Sequence, residues 1–336
     1  VGGVLVFLPN IMLLFMAVAV LEYSGYMARA AFVVDRLMHK IGLHGKSFIP
    51  MLIGFGCSVP AIMATRTLDS QRNRLVTMLI VPLMSCGARL PIYALIIPAF
   101  FPEKLHGFMM FLMYFIGIGL AILCAKLLGM FVFKETTPGL VMELPPYRMP
   151  TVRCVVVHMW ERARLYLKKA GTLILMVSVI MWALSTYPEK KVFDEGMTPE
   201  QMQAEKIEHS TAGRIGRLME PVIMPMGFDW KIGTALIGAV AAKELFVSQL
   251  GVVYAVGEAD EESAPLRDIL KAEYDPLTGF CIMLFCLIGF PCVATCAVTK
   301  AESGSWKFAA AQFWGLTLLA YLVTTIVYQI GSLLLG

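Results

Sequence analysis

The sequence predicts an all-α polytopic membrane protein with discontinuous and re-entrant helices, arranged as two inverted halves. Three observations lead there. Of its 336 residues, 58% are hydrophobic and only 15% charged, more apolar side chain than a soluble globule can bury. Residues 106–133, 171–187 and 308–335 run near or past the length that crosses about 30 Å of hydrocarbon, with almost no charge. The other apolar stretches are interrupted by Gly, Pro and Cys, and backbone freed in that way is tolerated at membrane depth only where it faces protein or a wet cavity.

The first element, residues 4–20, continues through LEYSGYMARAAFVVDRLMHK to a basic loop holding Arg36, Lys40 and Lys46, and is expected to be a span. In the second, SFIPMLIGFGCSVPAIMA at 47–64, Pro50, Gly54, Gly56 and Pro60 break a stretch barely long enough to cross, which predicts a re-entrant hairpin. Both of its flanks are basic, with Arg66, Arg72 and Arg74 following, so both fall on the cytoplasmic side by the positive-inside rule. The third, residues 75–101, is a span broken at Ser85-Cys86-Gly87 and marked by Pro82, Pro91 and Pro98. The fourth, 106–133, is unbroken and completes a first half at 1–134. Residues 135–170 contain RCVVVHMWERARLYLKKA, in which bases outnumber acids, and are expected to form a cytoplasmic basic amphipathic linker.

The second half, 171–336, opens with a span at 171–187 and an acidic polar stretch at 188–230. Residues 231–255 follow, bounded on their far side by a second acidic stretch at 257–276. Both acidic stretches are expected outside, so 231–255 is expected to be the partner hairpin. Residues 277–298 form a span broken at Gly289-Phe290-Pro291-Cys292, and the last span runs to the end. Span, hairpin, broken span and span thus recur in opposite orientation. Such inverted repeats build secondary transporters, with the site near the midplane where discontinuous helices meet.

Several function classes are set aside. A formal charge of +4, scattered along the chain, has no basic block with interleaved aromatics that would track phosphates, so no nucleic-acid partner is expected. Gly45-Lys46-Ser47 imitates the end of a phosphate-binding loop, but Lys40 stands where that motif needs its first Gly. No GxSxG or HExxH pattern supports an enzyme. The chain opens on Val1-Gly2-Gly3, with neither Met nor a charged leader, and is expected to be part of something longer.

Eight cysteines lie almost wholly in apolar segments, without a CxxC pair. Cys124, Cys154, Cys281 and Cys286 read as small hydrophobes. Cys57, Cys86 and Cys292 stand at the three most disrupted points of the chain. A broken helix leaves backbone groups unpaired there, and a thiolate beside them is a ligand for Fe(II), Cu(I) or Zn(II). Small residues at the same points also let helices approach closely, so packing remains open for each cysteine taken singly. Cys296, one turn past Cys292, is a weaker candidate. Ionisable groups at membrane depth are the second signal, and they single out Glu22, for which a place at the interface near Arg29 stays open, and the pair Lys243-Glu244, with Glu244 as an ion ligand or as a charge partner of Lys243. Arg89 is a candidate gating charge. On residues alone the chain reads as a metal permease, a carrier of a nucleoside or other small solute, or a thiol-sensing membrane subunit.

The runs LEYSGYMARAAFVVDRLM, GKSFIPMLIGFGCSVPAIMATRTL, SCGARLPIYALIIPAFFP and PMGFDWKIG, with AAKE and GFPCVAT, resemble the membrane (gate) domain of FeoB-type ferrous iron transporters over essentially the whole chain. The resemblance implies two gate-type halves that import Fe(II) as transported substrate across the bacterial inner membrane, and no enzyme activity in this chain. It implies an N-terminal GTPase domain, with GTP and Mg bound only there, and as partners the lipid bilayer, small Feo accessory proteins and further copies of the chain. The family's membrane cysteines match Cys57, Cys86 and Cys292, and its gate-region acids match Glu22 and Glu244. Two positions depart from the family's usual pattern: Ser58 stands where Asn is expected and Tyr23 where Asp is usual.

Overall fold

The computed structural model describes residues 2–131, 146–166, 210–254 and 263–335, with isolated fragments between 175 and 184. Among these residues every regular element is helical. In chain order the α-helices are α1 (Gly2–Tyr23), α2 (Tyr26–Ile41), α3 (Phe48–Gly54), α4 (Ser58–Ala64), α5 (Gln71–Ile80), α6 (Leu90–Phe100), α7 (His106–Phe131) and α8 (Val152–Tyr166). Then come α9 (Thr211–Ile223), α10 (Trp230–Ala241), α11 (Leu245–Val253), α12 (Ala264–Glu273), α13 (Pro276–Ile288), α14 (Val293–Ser303) and α15 (Trp306–Leu335).

Four stretches among the described residues are long and apolar enough to cross a membrane: Gln71–Phe100, Glu103–Met130, Pro276–Ser303 and Trp306–Leu334. In the most apolar 18 residues of the two that contain breaks, 67% of the residues are buried, against 28% and 17% in the continuous ones. The physical reason is backbone satisfaction. A continuous helix pairs its own N–H and C=O groups and can face lipid, whereas an interrupted one must be covered. The predicted span at 171–187 and the polar stretch 188–209 lie largely outside the described residues.

One expectation is corrected at the start of the chain. The first segment does not run on straight through LEYSGYMAR, because α1 and α2 meet at an 81° bend. Gly25 adopts φ 78°, the left-handed conformation that ends α1, and the Ser24 hydroxyl donates to the Leu21 carbonyl at 3.0 Å. A second difference concerns the acidic stretches, which carry helices: α9 lies inside 188–230 and α12 inside 257–276.

The chain divides into two compact units, each gathered from three stretches. The first holds Val1–Gly87, Ile116–Leu175 and Ala294–Ala310. Its core is built from Ile53, Ala61, Ile62, Met78 and Val81, with Val18, Val298 and Phe308 packed against them. Lipid is as apolar as these side chains, so close fit rather than exclusion of water holds such a core together. The α8 helix packs along α1, and the Arg29 guanidinium stacks 3.6 Å from the Tyr147 ring centroid.

The second unit holds Ala88–Phe115, Met176–Val293 and Ala311–Gly336. Here α9 packs on α10, which folds back onto α11, while α12 and α13 flank α6. Gly279 gives α13 its close approach to α6, since a Cβ there would stand 2.5 Å from the Phe100 ring. Asp229 caps α10 by accepting from the Ile232 N–H at 2.9 Å and also accepts from the Tyr274 hydroxyl at 2.7 Å.

Candidate functional site

Helices α3 and α4 have seven residues each, about 10 Å of rise, so neither crosses a bilayer and together they form a short helical hairpin. The sequence accounts for the turn. Gly56 and Cys57 N–H groups both donate to the Ile53 carbonyl, at 3.0 and 3.1 Å, after which Cys57 swings to an extended conformation (φ −156°, ψ 132°) and starts α4. Pro60 sits in the first turn of α4, where a missing N–H costs nothing. The Gly56 carbonyl is left over from this turn, and the Gly87 N–H donates to it at 3.1 Å.

That bond joins two of the predicted breaks. The second one follows a 3-10 turn at Val81–Leu83; Met84 turns extended, Ser85 is buried, and another 3-10 turn begins at Gly87. Cys57 and Cys86 are therefore each next in the chain to one partner of the Gly87–Gly56 hydrogen bond, and both are half-buried. Gly54 permits the approach, because a Cβ there would stand 3.2 Å from the Met84 side chain.

A cavity of about 610 Å³ lies in the same unit, lined by Glu22, Tyr23, Met27, Lys46, Met63 and Arg66 among others. Glu22 is exposed on this wall. It stands in the last turn of α1, three residues before the bend at Gly25.

Beside the cavity stands a charge cluster with no signature in the sequence. The Glu302 side chain, 4% exposed near the end of α14, accepts from Arg66 Nη2 at 2.5 Å and Nε at 2.7 Å, and from Arg74 Nη2 at 2.8 Å. Arg66 leaves the α3–α4 hairpin and Arg74 lies in α5, so one carboxylate ties three elements of the first unit together. An isolated acid ten residues past Cys292 carries no pattern that would have revealed it.

In the second unit the α10–α11 hairpin turns at Ala242, which is extended (φ −154°, ψ 136°), and Lys243 and Glu244 follow. Lys243 is 4% exposed. Its ammonium donates to the Cys286 carbonyl at 2.7 Å and to the Gly289 carbonyl at 2.6 Å, the groups released where α13 ends. Adjacency in the chain offers Glu244 as a partner for Lys243; the structure carries the ammonium 43 and 46 residues along the chain to the other break. Glu244 is half-buried at the start of α11. Phe290 takes φ 43° and packs its ring between Phe285 and Phe313, with centroids 5.4 and 5.8 Å away, so the chain is forced out of the helix just before half-buried Cys292.

The structure thus brings the Cys57 and Cys86 breaks together in one unit, and in the other it ties the Lys243-Glu244 turn to the break that precedes Cys292. Among the described residues no three His, Cys, Asp or Glu side chains form a group that could hold a metal. Backbone carbonyls are the other oxygen donors at the breaks.

Residues 4–100 and 167–306 match the Gate family, described as nucleoside recognition, and 110–162 match the family described as ferrous iron transport protein B C terminus. The chain is 45% identical to the Fe(2+) transport protein A/Fe(2+) transporter FeoB fusion protein of Porphyromonas gingivalis, covering 99% of this chain and 43% of that one. It is 43% identical to the Fe(2+) transporter FeoB of Campylobacter jejuni, covering 100% and 54%. The Fe(2+) transporter FeoB of Methanocaldococcus jannaschii is 42% identical, with 99% and 48% covered. The chain spans about half the length of the curated relatives it matches. No solved structure matches it.

Proposed function

The chain belongs to the Gate family, as the membrane part of a FeoB-type protein, and we propose that it is the permease for Fe(II) uptake across the bacterial inner membrane. The observation that carries the reading is the Gly87–Gly56 hydrogen bond, which sets two cysteine-bearing breaks side by side. Fe(II) is borderline-soft and accepts both thiolate and oxygen ligands, so a thiol beside backbone carbonyls, each of which keeps a second lone pair, can replace part of its hydration shell. Cys57 and Cys86 act as ligands on one stretch of the path, and Cys292 and Glu244 on another. Glu22 holds a cation at the wall of the 610 Å³ cavity. Transient contact with few side chains at a time suits a cargo that must leave again.

This chain is not itself an enzyme. A GTPase domain ahead of it supplies nucleotide binding with Mg, and its movement reaches the two gate-type halves, 1–134 and 171–336, through the linker 135–170. The fusion of a relative to Fe(2+) transport protein A supports a small accessory protein as partner, and copies of the chain are a further candidate partner.

The test is Fe(II) uptake by the intact protein in an iron-starved host without its own ferrous uptake. Cys57→Ser and Cys86→Ser each lower uptake at least about tenfold at equal membrane abundance, since even the loss of an outer-shell partner costs a metal site that much. Parental uptake in both variants would remove the thiols from the path. Equal Fe(II) entry into liposomes with and without GTP would refute the coupling.

A further inference from the structure

The Lys243 contact places a positive charge where breaks in membrane helices commonly hold an ion. Helix α13 rises about 20 Å from Pro276 before it stops, so its end lies deep in the span. An α-helix leaves its last carbonyls unpaired and carries partial negative charge at that end. Gly289 N–H still donates to Phe285 O at 2.7 Å. The next rung, from residue 290 to the Cys286 carbonyl, is lost because Phe290 turns to φ 43°. The Cys286 and Gly289 carbonyls are left, and both point at one atom, Lys243 Nζ.

Two freed carbonyls at the C-terminal end of a half-helix are the arrangement with which transporters coordinate a monovalent cation. We propose that Lys243 is a tethered substitute for such a cation. Its ammonium fills the place between the Cys286 and Gly289 oxygens that K⁺ or Na⁺ would take, so the break keeps its form without drawing on a monovalent ion gradient. Three features favour this over a generic buried lysine. The side chain is 4% exposed, both carbonyls are within 2.7 Å, and both are the acceptors the break itself orphans. The proposal concerns the α13 break and does not depend on what the protein carries.

The intact protein is purified with Lys243→Ala, which vacates the place, and with Lys243→Met, which fills it with an uncharged chain of similar length. Melting temperatures are compared in chloride salts of K⁺, Na⁺ and choline. The parent melts at one temperature in all three. Lys243→Ala melts lower in choline and recovers by several degrees in K⁺, less in Na⁺, because an ammonium group is nearer in size to K⁺; at about 100 times the dissociation constant a ligand raises the folded ratio about a hundredfold. Lys243→Met melts low in every salt. Equal melting of Lys243→Ala in all three salts overturns the proposal, as does the same salt response in the parent. Should Lys243→Ala fail to fold in choline, Lys243→Ser is expressed and purified alongside it. Folding of either variant in K⁺ alone supports the tethered cation, and failure of both in every salt while Lys243→Met folds refutes it. Fe(II) uptake, measured in parallel, becomes dependent on K⁺ only in Lys243→Ala. Absent uptake in the parent would undo the permease reading while leaving the melting result to decide this one.

Discussion

Glu302→Gln offers the sharpest quantitative test of the first unit. The carboxylate accepts three hydrogen bonds from two guanidinium groups of unequal exposure, Arg66 at 61% and Arg74 at 30%. The Arg66 pair is bidentate, but water screens most of it, so it contributes about 0.2–1 kcal/mol. Arg74 also donates to the Glu302 main-chain carbonyl at 3.0 Å, and its partly covered, charge-assisted contact contributes about 1.5–3 kcal/mol. Glutamine keeps one acceptor and turns an NH₂ toward the arginine donors, so the expected loss is about 2–4 kcal/mol. For a chain of this size that lowers melting by about 1.5 °C per kcal/mol, or about 3–6 °C. The assay is thermal unfolding in detergent, with Arg66→Ala and Arg74→Ala as companions. The expected order of damage is Glu302→Gln, then Arg74→Ala, then Arg66→Ala, and added salt should shrink only the last. An Arg66→Ala loss equal to that of Glu302→Gln would refute the weighting by exposure.

Further outcomes follow from other residues. His44 lies in the loop after α2, and burial pulls its pKa below the ordinary 6.5; its Nδ1 accepts from the Lys46 N–H at 3.2 Å, a bond that needs the neutral ring. The native state therefore binds fewer protons than the unfolded one just below pH 6.5. Stability should fall as pH drops through that window, and His44→Gln should flatten melting between pH 7.5 and 5.5. Asp69 is held below the usual carboxylate range by the hydrogen bond from Lys46 at 2.6 Å. Its stabilisation is present above that range and lost as pH falls through the lowered value, but at 80% exposure Asp69→Asn should shift stability by no more than about 0.5 kcal/mol. Gly279→Ala pushes α13 off Phe100 and should cost about 1–3 kcal/mol by the same melting assay, with Phe100→Leu restoring part of it.

Much of the architecture was legible in the residues, for a physical reason. Gly and Pro clustered in an apolar run signal broken hydrogen bonding wherever they occur, so the α3–α4 hairpin and the breaks at Ser85–Gly87 and Gly289–Cys292 could be placed in advance. The bend at Gly25 was not, because one glycine in an otherwise helical run is compatible with a straight helix; its positive φ is a property of the fold. Helices α9 and α12 hid in acidic stretches whose composition resembles loops, although each buries one face. The hardest feature to foresee was pairing at a distance. Adjacency in the chain suggested Glu244 for Lys243, whereas its ammonium reaches main-chain oxygens, which leave no trace in a sequence. Glu302 was missed for a related reason, since its two arginines lie 236 and 228 positions away.

The link between the Cys57 and Cys86 breaks is made of peptide groups alone, and this decides which genetics can see it. Exchanging the side chains around it one by one leaves the Gly56 oxygen and the Gly87 hydrogen in place. A conventional scan would score the cysteines and pass over the bond that seats them side by side. Gly87→Pro, which deletes the N–H, or an ester in place of that amide, is the perturbation to which this joint is open.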